Sequence, residues 1–263
     1  MLGAIAGDVI GSVYESAGLK RCDFALFTPY SRFTDDTVLT VATADAILSG
    51  GDYAAYYHAY GNRYPNAGYG GSFRRWLRDE SRRPYGSWGN GSAMRVSPVG
   101  LAAASPEQAL EWAEESAAVT HDHPEGIRGA QAVALAVYLA RIGETQDDIR
   151  AQVTRRLGYD LTRSVDDIRP GYSFDVSCQG SVPEAITAFL DSSDVEGAIR
   201  LAISLGGDAD TQAAIAGGIA EAFWGGVPAS MAAETMRRLP QEFLDVIGEF
   251  ESRFPSERPY GRS

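Results

Sequence analysis

The chain has 263 residues, a net charge of −12 and two cysteines that form no CxxC pair. The acidic balance argues against nucleic-acid binding, which needs clustered Lys and Arg, and the cysteines argue against a disulfide framework or a thiolate metal site. No apolar run approaches the roughly 18 residues of a membrane span, and the apolar start lacks the basic segment of a signal peptide. We therefore expect a cytoplasmic protein without membrane or nucleic-acid partners.

The hydrophobic period is helical along nearly the whole chain. Apolar residues recur at the spacing of one helix face in segment 34–49, and segment 105–119 opens with a serine cap and a proline. Segment 124–142 is apolar on nearly all sides, which predicts a central buried helix. The sequence predicts an all-α fold: a single compact domain of about a dozen helices over residues 1–263, with a flexible tail from about residue 254.

Three glycine-rich loops each precede a predicted helix. They are NAGYGGS at 66–72, YGSWGNGSAMR at 85–95 and LGGDADT at 205–211. A helix start leaves backbone N–H groups unpaired, so that it can bind an anion. Glycine also simply terminates helices, and for one loop alone that interpretation is the better one. The three loops together favour anion binding.

Two carboxylate pairs stand at predicted helix starts, in TDDT at 34–37 and DADT at 208–211. A helix cap accounts for one acid at each start, but not for two carboxylates with hydroxyls beside them. If the two helices pack together, the carboxylates repel one another unless cations neutralise them. Oxygen ligands and only three histidines predict two Mg²⁺ or Mn²⁺ ions, about 4 Å apart, rather than zinc. The expected ligands are Thr34, Asp35, Asp36, Asp208, Asp210 and Thr211.

Five motifs, taken in order, resemble those of the ADP-ribosylglycohydrolase family. They are GAIAGDVIGSVYE at 3–15, FTDDT at 33–37, GNGSAMRVSP at 89–98, THDHPEG at 120–126 and GGDADT at 206–211. Each motif is short, but all five in this order are specific. The family includes dinitrogenase-reductase-activating glycohydrolase and the ADP-ribosylarginine and ADP-ribosylserine hydrolases. The resemblance implies an all-α fold with a binuclear Mg²⁺ or Mn²⁺ centre on the two aspartate motifs.

The resemblance also implies which residues bind the substrate. Backbone amides of the second glycine loop would hold a diphosphate, a further glycine pair would line the cleft, and one histidine would contact the ADP-ribose. These residues are Gly70, Gly71, Asn90, Gly91, Ser92, Ala93, Met94 and His121. His123 is expected to orient its loop by local hydrogen bonds. Glu15 matches an acid that can swing towards the metals in serine-type members.

The reaction implied is hydrolysis at the anomeric carbon of an ADP-ribosyl group by a metal-activated water, with Asp35 or Asp36 as base and Glu15 as acid or gate. Its substrate would be an ADP-ribosylated protein or small molecule. An arginine-linked acceptor is favoured, and serine-linked, nucleobase-linked and O-acyl ADP-ribose stay open. Two rivals are a non-catalytic binder, like the jellyfish crystallins that resemble this family, and a two-metal phosphoesterase that would cut the diphosphate. The sequence leaves the oligomeric state open.

Overall fold

The computed structural model describes residues 1–255 and confirms the predicted all-α class in one domain. The helices are α1 (Leu2–Gly11), α2 (Asp35–Ser49), α3 (Tyr53–Arg63), α4 (Gly71–Trp76), α5 (Ser97–Ala102), α6 (Pro106–Ala118), α7 (Pro124–Ile142), α8 (Gln146–Leu157), α9 (Val165–Ile168), α10 (Cys178–Leu190), α11 (Val195–Ser204), α12 (Ala209–Trp224), α13 (Ala229–Met236) and α14 (Gln241–Arg253), with a 3-10 turn at Asn90–Ser92. Within residues 1–255 there is no β-strand, and one isolated antiparallel bridge joins Gly89 to Ser177. Most of the predicted flexible tail, residues 256–263, lies outside the described residues.

Helix α7 lies at the centre of the larger part of the core, as the sequence predicts. Every residue from 132 to 140 is buried, and α7 contacts α5, α6, α8, α10 and α12. A helix enclosed on all sides has no polar face to turn towards water, so it must be apolar around its circumference. The residue pattern of α7 follows from this position.

Helix α1 joins two clusters of buried apolar side chains into one folded unit. Its residues Ala6 and Ile10 belong to the cluster around α7, α10, α11 and α12. Ile5 and Val9, on its other face, belong to a second cluster with α2, α3, α4 and α14. A ten-residue helix can serve both because residues one position apart point in different directions around its axis.

The close packing of α1 against α12 depends on glycine. Gly3, Gly7 and Gly11 recur every four residues and therefore line one face of α1. A Cβ atom at Gly7 would stand 2.1 Å from the carbonyl oxygen of Ala213, and one at Gly11 would stand 2.4 Å from Cα of Asp210. Any larger residue on this face would push the helices apart. The contact brings the start of α12 beside the end of α1.

The segment between α1 and α2 is tied to the elements around α12. The ammonium group of Lys20 donates hydrogen bonds to three main-chain carbonyls, those of Arg169 at 3.0 Å, Tyr172 at 2.6 Å and Leu205. Leu205 directly precedes the loop that leads into α12. Lys20 thereby holds residues 12–34 next to the aspartates at the start of α12.

The residues that the structure describes contain neither a membrane-spanning helix nor a disulfide. Across residues 1–255, no helix combines the length and the apolar character needed to cross a membrane. Cys22 and Cys178 are both free, and Cys178 is buried. The cysteines thus form no disulfide with each other, in line with the sequence.

Candidate functional site

Asp8, near the end of α1, organises the start of α2. Its fully buried carboxylate accepts hydrogen bonds from the amides of Thr34 and Thr37 at 2.8 and 3.1 Å, and from the Thr34 hydroxyl at 2.6 Å. The Thr37 hydroxyl donates to it as well. Thr34 also accepts from the amide of Asp36, as the cap of α2. Asp8 therefore belongs to the site, although the sequence patterns did not single it out.

The two aspartate motifs meet in space. Carboxylate oxygens of Asp8, Asp36 and Asp210 lie within 4.8 Å of one another, and so do those of a second group, made of Glu15, Asp208 and Asp210. Asp210 belongs to both groups and joins them. Two adjacent clusters of carboxylate oxygen are therefore present where the sequence predicts a pair of cations.

Thr34, Thr211 and Asp35 border these groups in different ways. The Thr211 hydroxyl donates to Oδ2 of Asp36 at 3.3 Å, and the Thr34 hydroxyl lies 3.5 Å from the same oxygen. Asp35 belongs to neither carboxylate group and lines the cleft above them. Gly68, at φ +112°, approaches Asp35 so closely that a Cβ there would stand 2.9 Å from its Oδ1.

The electrostatics of the cluster favour neutralisation. Burial raises the pKa values of Asp36 and Asp210 well above the ordinary value of an aspartate. Repulsion from Asp210 adds to the rise at Asp36, and repulsion from Asp208 adds to the rise at Asp210. Burial, with the charge of Asp8, raises the pKa of Asp35 to about 7. Among the described residues, Oδ1 of Asp36 is buried without a hydrogen-bond partner. Such carboxylates must take up protons or be paired with cations.

Glu15 stands at the edge of the cluster, on the segment that Lys20 ties down. It is exposed as a residue, yet its carboxylate reaches the group that contains Asp208. Partial burial, and then the charge of Asp208, raise the pKa of Glu15. Glu15 therefore links the inner carboxylates to the solvent.

Asn90, in the second glycine loop, lines the cleft and contacts one of the predicted metal-binding aspartates. Its Nδ2 donates to Oδ2 of Asp208 at 2.8 Å and to Oγ of Ser181 at 3.2 Å. These bonds fix one carboxylate oxygen of Asp208. The side chain of Asn90 thus orients a predicted metal ligand.

The amides of the predicted diphosphate-binding loop are not equally available. Those of Ala93 and Met94 donate to the carbonyl of Asn90 at 2.8 and 3.0 Å, and the amide of Asn90 itself donates to a carbonyl of a neighbouring loop at 2.7 Å. These three amides are engaged within the protein. The amides of Gly91 and Ser92 remain as candidates for binding an anion.

The side chains of this loop also divide into two sets. The Ser92 hydroxyl donates to the carbonyl of Gly126 at 2.7 Å, and Ala93 is fully buried, so both side chains pack into the core. Met94 lines the cleft, and its Sδ lies 3.9 Å from the Thr211 hydroxyl oxygen. Only part of the loop predicted to bind substrate therefore faces the cleft with its side chains.

A cleft of about 380 Å³ lies above the carboxylates, a volume typical of small-molecule sites. Gly70 and Gly71, at the start of α4, line it together with His121. Phe174 and Val176 form part of its rim, and their side chains are 54% and 53% exposed. The cleft joins the three glycine-rich loops to both aspartate motifs.

The two histidines of the THDHPEG motif differ in their surroundings. His121 is buried, with Nδ1 2.7 Å from the Thr120 hydroxyl oxygen, and burial together with Arg95 lowers its pKa well below the ordinary value. His123 caps α7, and its Nδ1 accepts from the amide of Glu125 at 3.1 Å. His123 thus makes the local hydrogen bond expected of it, whereas His121 lines the cleft.

The fold and the site define a helical enzyme with a carboxylate cluster beneath a cleft, and comparison with known proteins gives its family. The family model for ADP-ribosylglycohydrolase matches residues 1–258. The chain therefore belongs to the ADP-ribosylglycohydrolase family, and it is a glycohydrolase enzyme. The family resemblance read from the five sequence motifs is confirmed.

Individual relatives agree with this assignment. The chain is 28% identical to ADP-ribosylhydrolase ARH3 of Mus musculus. Their alignment, 331 positions long with its gaps, covers 95% of this chain and 87% of that protein. It is 28% identical over 294 residues to ADP-ribosylarginine hydrolase Tri1 of Pseudomonas putida, covering 93% and 76%. A solved structure described as an ADP-ribosylglycohydrolase-related protein complex matches with a TM-score of 0.67 and 25% identity, over 96% of each chain.

Proposed function

We propose that this enzyme hydrolyses the bond at the anomeric carbon of arginine-linked ADP-ribose with the help of two Mg²⁺ or Mn²⁺ ions. The observation that carries the proposal is the convergence of Asp36 with Asp210 beneath the cleft. The proposed ligands are Thr34, Asp35, Asp36, Asp208, Asp210 and Thr211.

The residues fit such ions by chemistry and by charge. Every donor is a carboxylate or hydroxyl oxygen, the ligand type that hard divalent cations prefer. Oδ1 of Asp36 has no hydrogen-bond partner, and a cation would pair with it. A cation would also stabilise the charged forms of Asp36 and Asp210, whose pKa values are raised. When bound, the ions supply Lewis acidity that orients ribose hydroxyls and makes a water molecule more acidic.

The cleft offers complementary groups for the rest of an ADP-ribosyl group. The amide of Gly91, which lines the cleft, and the amide of Ser92 next to it in the chain donate to the diphosphate. The exposed ring of Phe174 on the rim gives the adenine a face for stacking. These contacts hold the anomeric carbon over the carboxylates and orient it for attack.

Asp35 is the proposed general base. Its carboxylate lines the cleft and lies outside both carboxylate groups, so it can accept the proton of the attacking water while positive charge develops at the anomeric carbon. Asp36 is the alternative base, but its Oδ2 already accepts from Thr211. Glu15, at the edge of the cluster, is placed to protonate the leaving group or to gate the cleft.

The arginine-linked acceptor is the least constrained part of the proposal. It is supported by the arginine-specific name of Tri1, while the name of the mouse relative states no acceptor. Serine-linked, nucleobase-linked and O-acyl ADP-ribose are the alternatives. The cytoplasmic location, and the absence of membrane and nucleic-acid partners, stay predictions.

The test is to incubate the protein and Mg²⁺ with ADP-ribosylated arginine, serine and nucleobase substrates in parallel and to measure free ADP-ribose. Release of ADP-ribose from the arginine substrate supports the proposal. Release from another substrate alone would mean that the acceptor is the residue or base in that substrate instead of arginine. Release of AMP would indicate a phosphoesterase. No product, together with no micromolar Mg²⁺ binding by calorimetry, would indicate a non-catalytic binder.

Two variants test the metal ligands in the same assay. Asp35→Asn and Asp208→Asn should each lower turnover by more than about 100-fold while the helical circular dichroism spectrum stays unchanged. Asp147→Asn, an exposed change in α8, is the matched control and should keep full activity. Near-native turnover of either site variant would contradict the ligand assignment.

A further inference from the structure

Arg95, directly after the second glycine loop, is a fully buried cation. Its guanidinium carbon lies 4.2 Å from the ring centroid of Tyr57, and its Nη2 donates to the carbonyl of Ser116 at 2.7 Å and to Oγ1 of Thr120 at 3.0 Å. Among the described residues, no carboxylate pairs with it, and its Nε and Nη1 have no hydrogen-bond partner. Burial of an unpaired charge is unfavourable, so Arg95 depends on the ring and the polar groups that it contacts.

The contact with Thr120 leads on to the cleft. Oγ1 of Thr120 accepts from Arg95 and lies 2.7 Å from Nδ1 of His121. The hydroxyl has a single proton, and a cation that donates to its oxygen polarises it to donate in turn. If this proton points to Nδ1, that nitrogen accepts, and the imidazole proton is on Nε2.

Nε2 of His121 lies against the second glycine loop. A Cβ atom at Gly91 would stand 3.3 Å from it, and one at Gly89 would stand 3.6 Å away. Gly91 and His121 both line the cleft, so an N–H group on this nitrogen would lie next to Gly91 in the cleft wall. The ring and the amide of Gly91 would then both offer a donor to the cleft, an arrangement that suits an anionic oxygen.

The Thr120 hydroxyl has a second possible acceptor, the Tyr85 hydroxyl. Burial raises the pKa of Tyr85 to about 12, and the charge of Arg95 and then a hydrogen bond with the Thr120 side chain oppose this rise. If the Thr120 proton pointed to Tyr85, Nδ1 of His121 could carry the ring proton and donate to Thr120. Nε2 would then be an acceptor and would repel a phosphate oxygen.

We propose that Arg95 is a positioning residue which, through the Thr120 hydroxyl, fixes His121 as the Nε2–H tautomer and so presents a neutral donor to a phosphate oxygen in the cleft. Burial and Arg95 both lower the pKa of His121, so the ring stays uncharged at neutral pH. The ligand part rests on the proposed function. The tautomer part does not depend on it.

The tautomer is measured in the ligand-free protein by long-range ¹H–¹⁵N spectra of the imidazole rings. The chain has three histidines, and His121→Gln identifies the signal. We expect Nε2–H in the wild type, a mixture of tautomers in Thr120→Val and in Arg95→Met, and no change in Thr120→Ser or Tyr85→Phe. A wild type with Nδ1–H, or an unchanged tautomer in Thr120→Val, would overturn the proposal. An unchanged tautomer in a folded Arg95→Met protein would overturn the role of Arg95; if that variant does not fold, Thr120→Val still decides whether the Thr120 hydroxyl sets the tautomer.

The consequence for binding is measured by calorimetry with ADP-ribose. Thr120→Val should weaken binding by about 10-fold, since a hydrogen bond to a charged group is lost, whereas Thr120→Ser should stay close to the wild type. Equal affinity of Thr120→Val and wild type would overturn the ligand part. A wild type that binds no ADP-ribose but shows the Nε2–H tautomer would refute the proposed function and the ligand part, and would leave the tautomer part standing.

Discussion

Asp8 accepts hydrogen bonds from both the amide and the hydroxyl of Thr34, at 2.8 and 2.6 Å, and so fastens the start of α2 to α1. Thr34 directly precedes Asp35 and Asp36. The position of both aspartates relative to α12 therefore depends on a buried carboxylate in a different helix.

Asp8→Asn should weaken both the fold and the binding of Mg²⁺. An asparagine keeps one acceptor oxygen for the N–H groups of Thr34 and Thr37, but its NH2 group replaces the oxygen that accepts from the Thr34 hydroxyl, and the negative charge is lost. We expect the free energy of unfolding to fall by about 1–2 kcal/mol, measured by urea denaturation, and Mg²⁺ affinity by calorimetry to fall by at least about 10-fold. Asp147→Asn, exposed on α8, should change neither quantity. Unaltered Mg²⁺ affinity in a destabilised Asp8→Asn protein would restrict Asp8 to a structural role.

Gly7→Ala should destabilise the protein through the contact of α1 with α12. The added Cβ would lie 2.1 Å from the carbonyl oxygen of Ala213, a backbone atom that cannot move aside. We expect a loss of roughly 3 kcal/mol and a lower Tm in thermal unfolding. Gly248→Ala is the matched control, because nothing lies within 4 Å of its Cβ position in α14. It should be neutral or raise stability by about 0.5–1 kcal/mol, and equal effects of both changes would disprove the close contact.

The metal-free protein should lose stability as the pH rises from about 4 to about 7. The folded-state pKa of Asp35 is raised from 3.8 to about 7, and those of Asp36 and Asp210 are raised as well. The folded state therefore holds more protons than the unfolded chain in this window, and stability falls as these protons leave. In EDTA, we expect a higher Tm at pH 5 than at pH 8.

Mg²⁺ provides the control for this pH dependence. Cations that pair with the carboxylates should raise the Tm more at pH 8 than at pH 5, because more carboxylates are ionised there. The Asp35→Asn variant should show a weaker pH dependence in EDTA than the wild type. A Tm that responds equally to Mg²⁺ at both pH values would speak against a carboxylate metal site.

Phe174→Ala should lower the affinity for ADP-ribose without lowering stability. The ring is 54% exposed on the cleft rim, and stacking of a base on an aromatic side chain is worth about 1–3 kcal/mol. We expect about 10-fold weaker binding by calorimetry with an unchanged Tm. Tyr30→Ala removes an aromatic ring that is 79% exposed and does not line the cleft, so it should bind ADP-ribose like the wild type.

The helical class and the central position of α7 could be predicted from local pattern, because period and cap residues act within one element. The meeting of Asp36 with Asp210 could be inferred only as a condition that a metal pair requires. The sequences of α2 and α12 do not show which helix each packs against, apart from the small residues of α12 that permit close approach. The resemblance to a family supplied what periodicity could not.

The sequence did not predict the hydrogen-bond partners of Asp8 or the different side-chain directions within the second glycine loop. Asp8 was visible as a lone acid in an apolar helix, but its partners Thr34 and Thr37 are distant in the chain. In the loop, the motif marked residues 90–94 as a block. A 3-10 turn points successive residues to different sides, so Ser92 and Ala93 pack inward while their neighbours reach the cleft.

The glycine face that joins α1 to α12 also sets the order of events during synthesis. Roughly 200 residues separate the partners, and a pairing so distant in the chain forms late and slowly. As the ribosome adds residues, α1 emerges before the helix that packs against its glycine face has been made. Until Asp210 has left the exit tunnel, the nascent polypeptide has Asp8 and Asp36 but not the carboxylates of α12, so the proposed pair of cations could bind only after α12 has been synthesised.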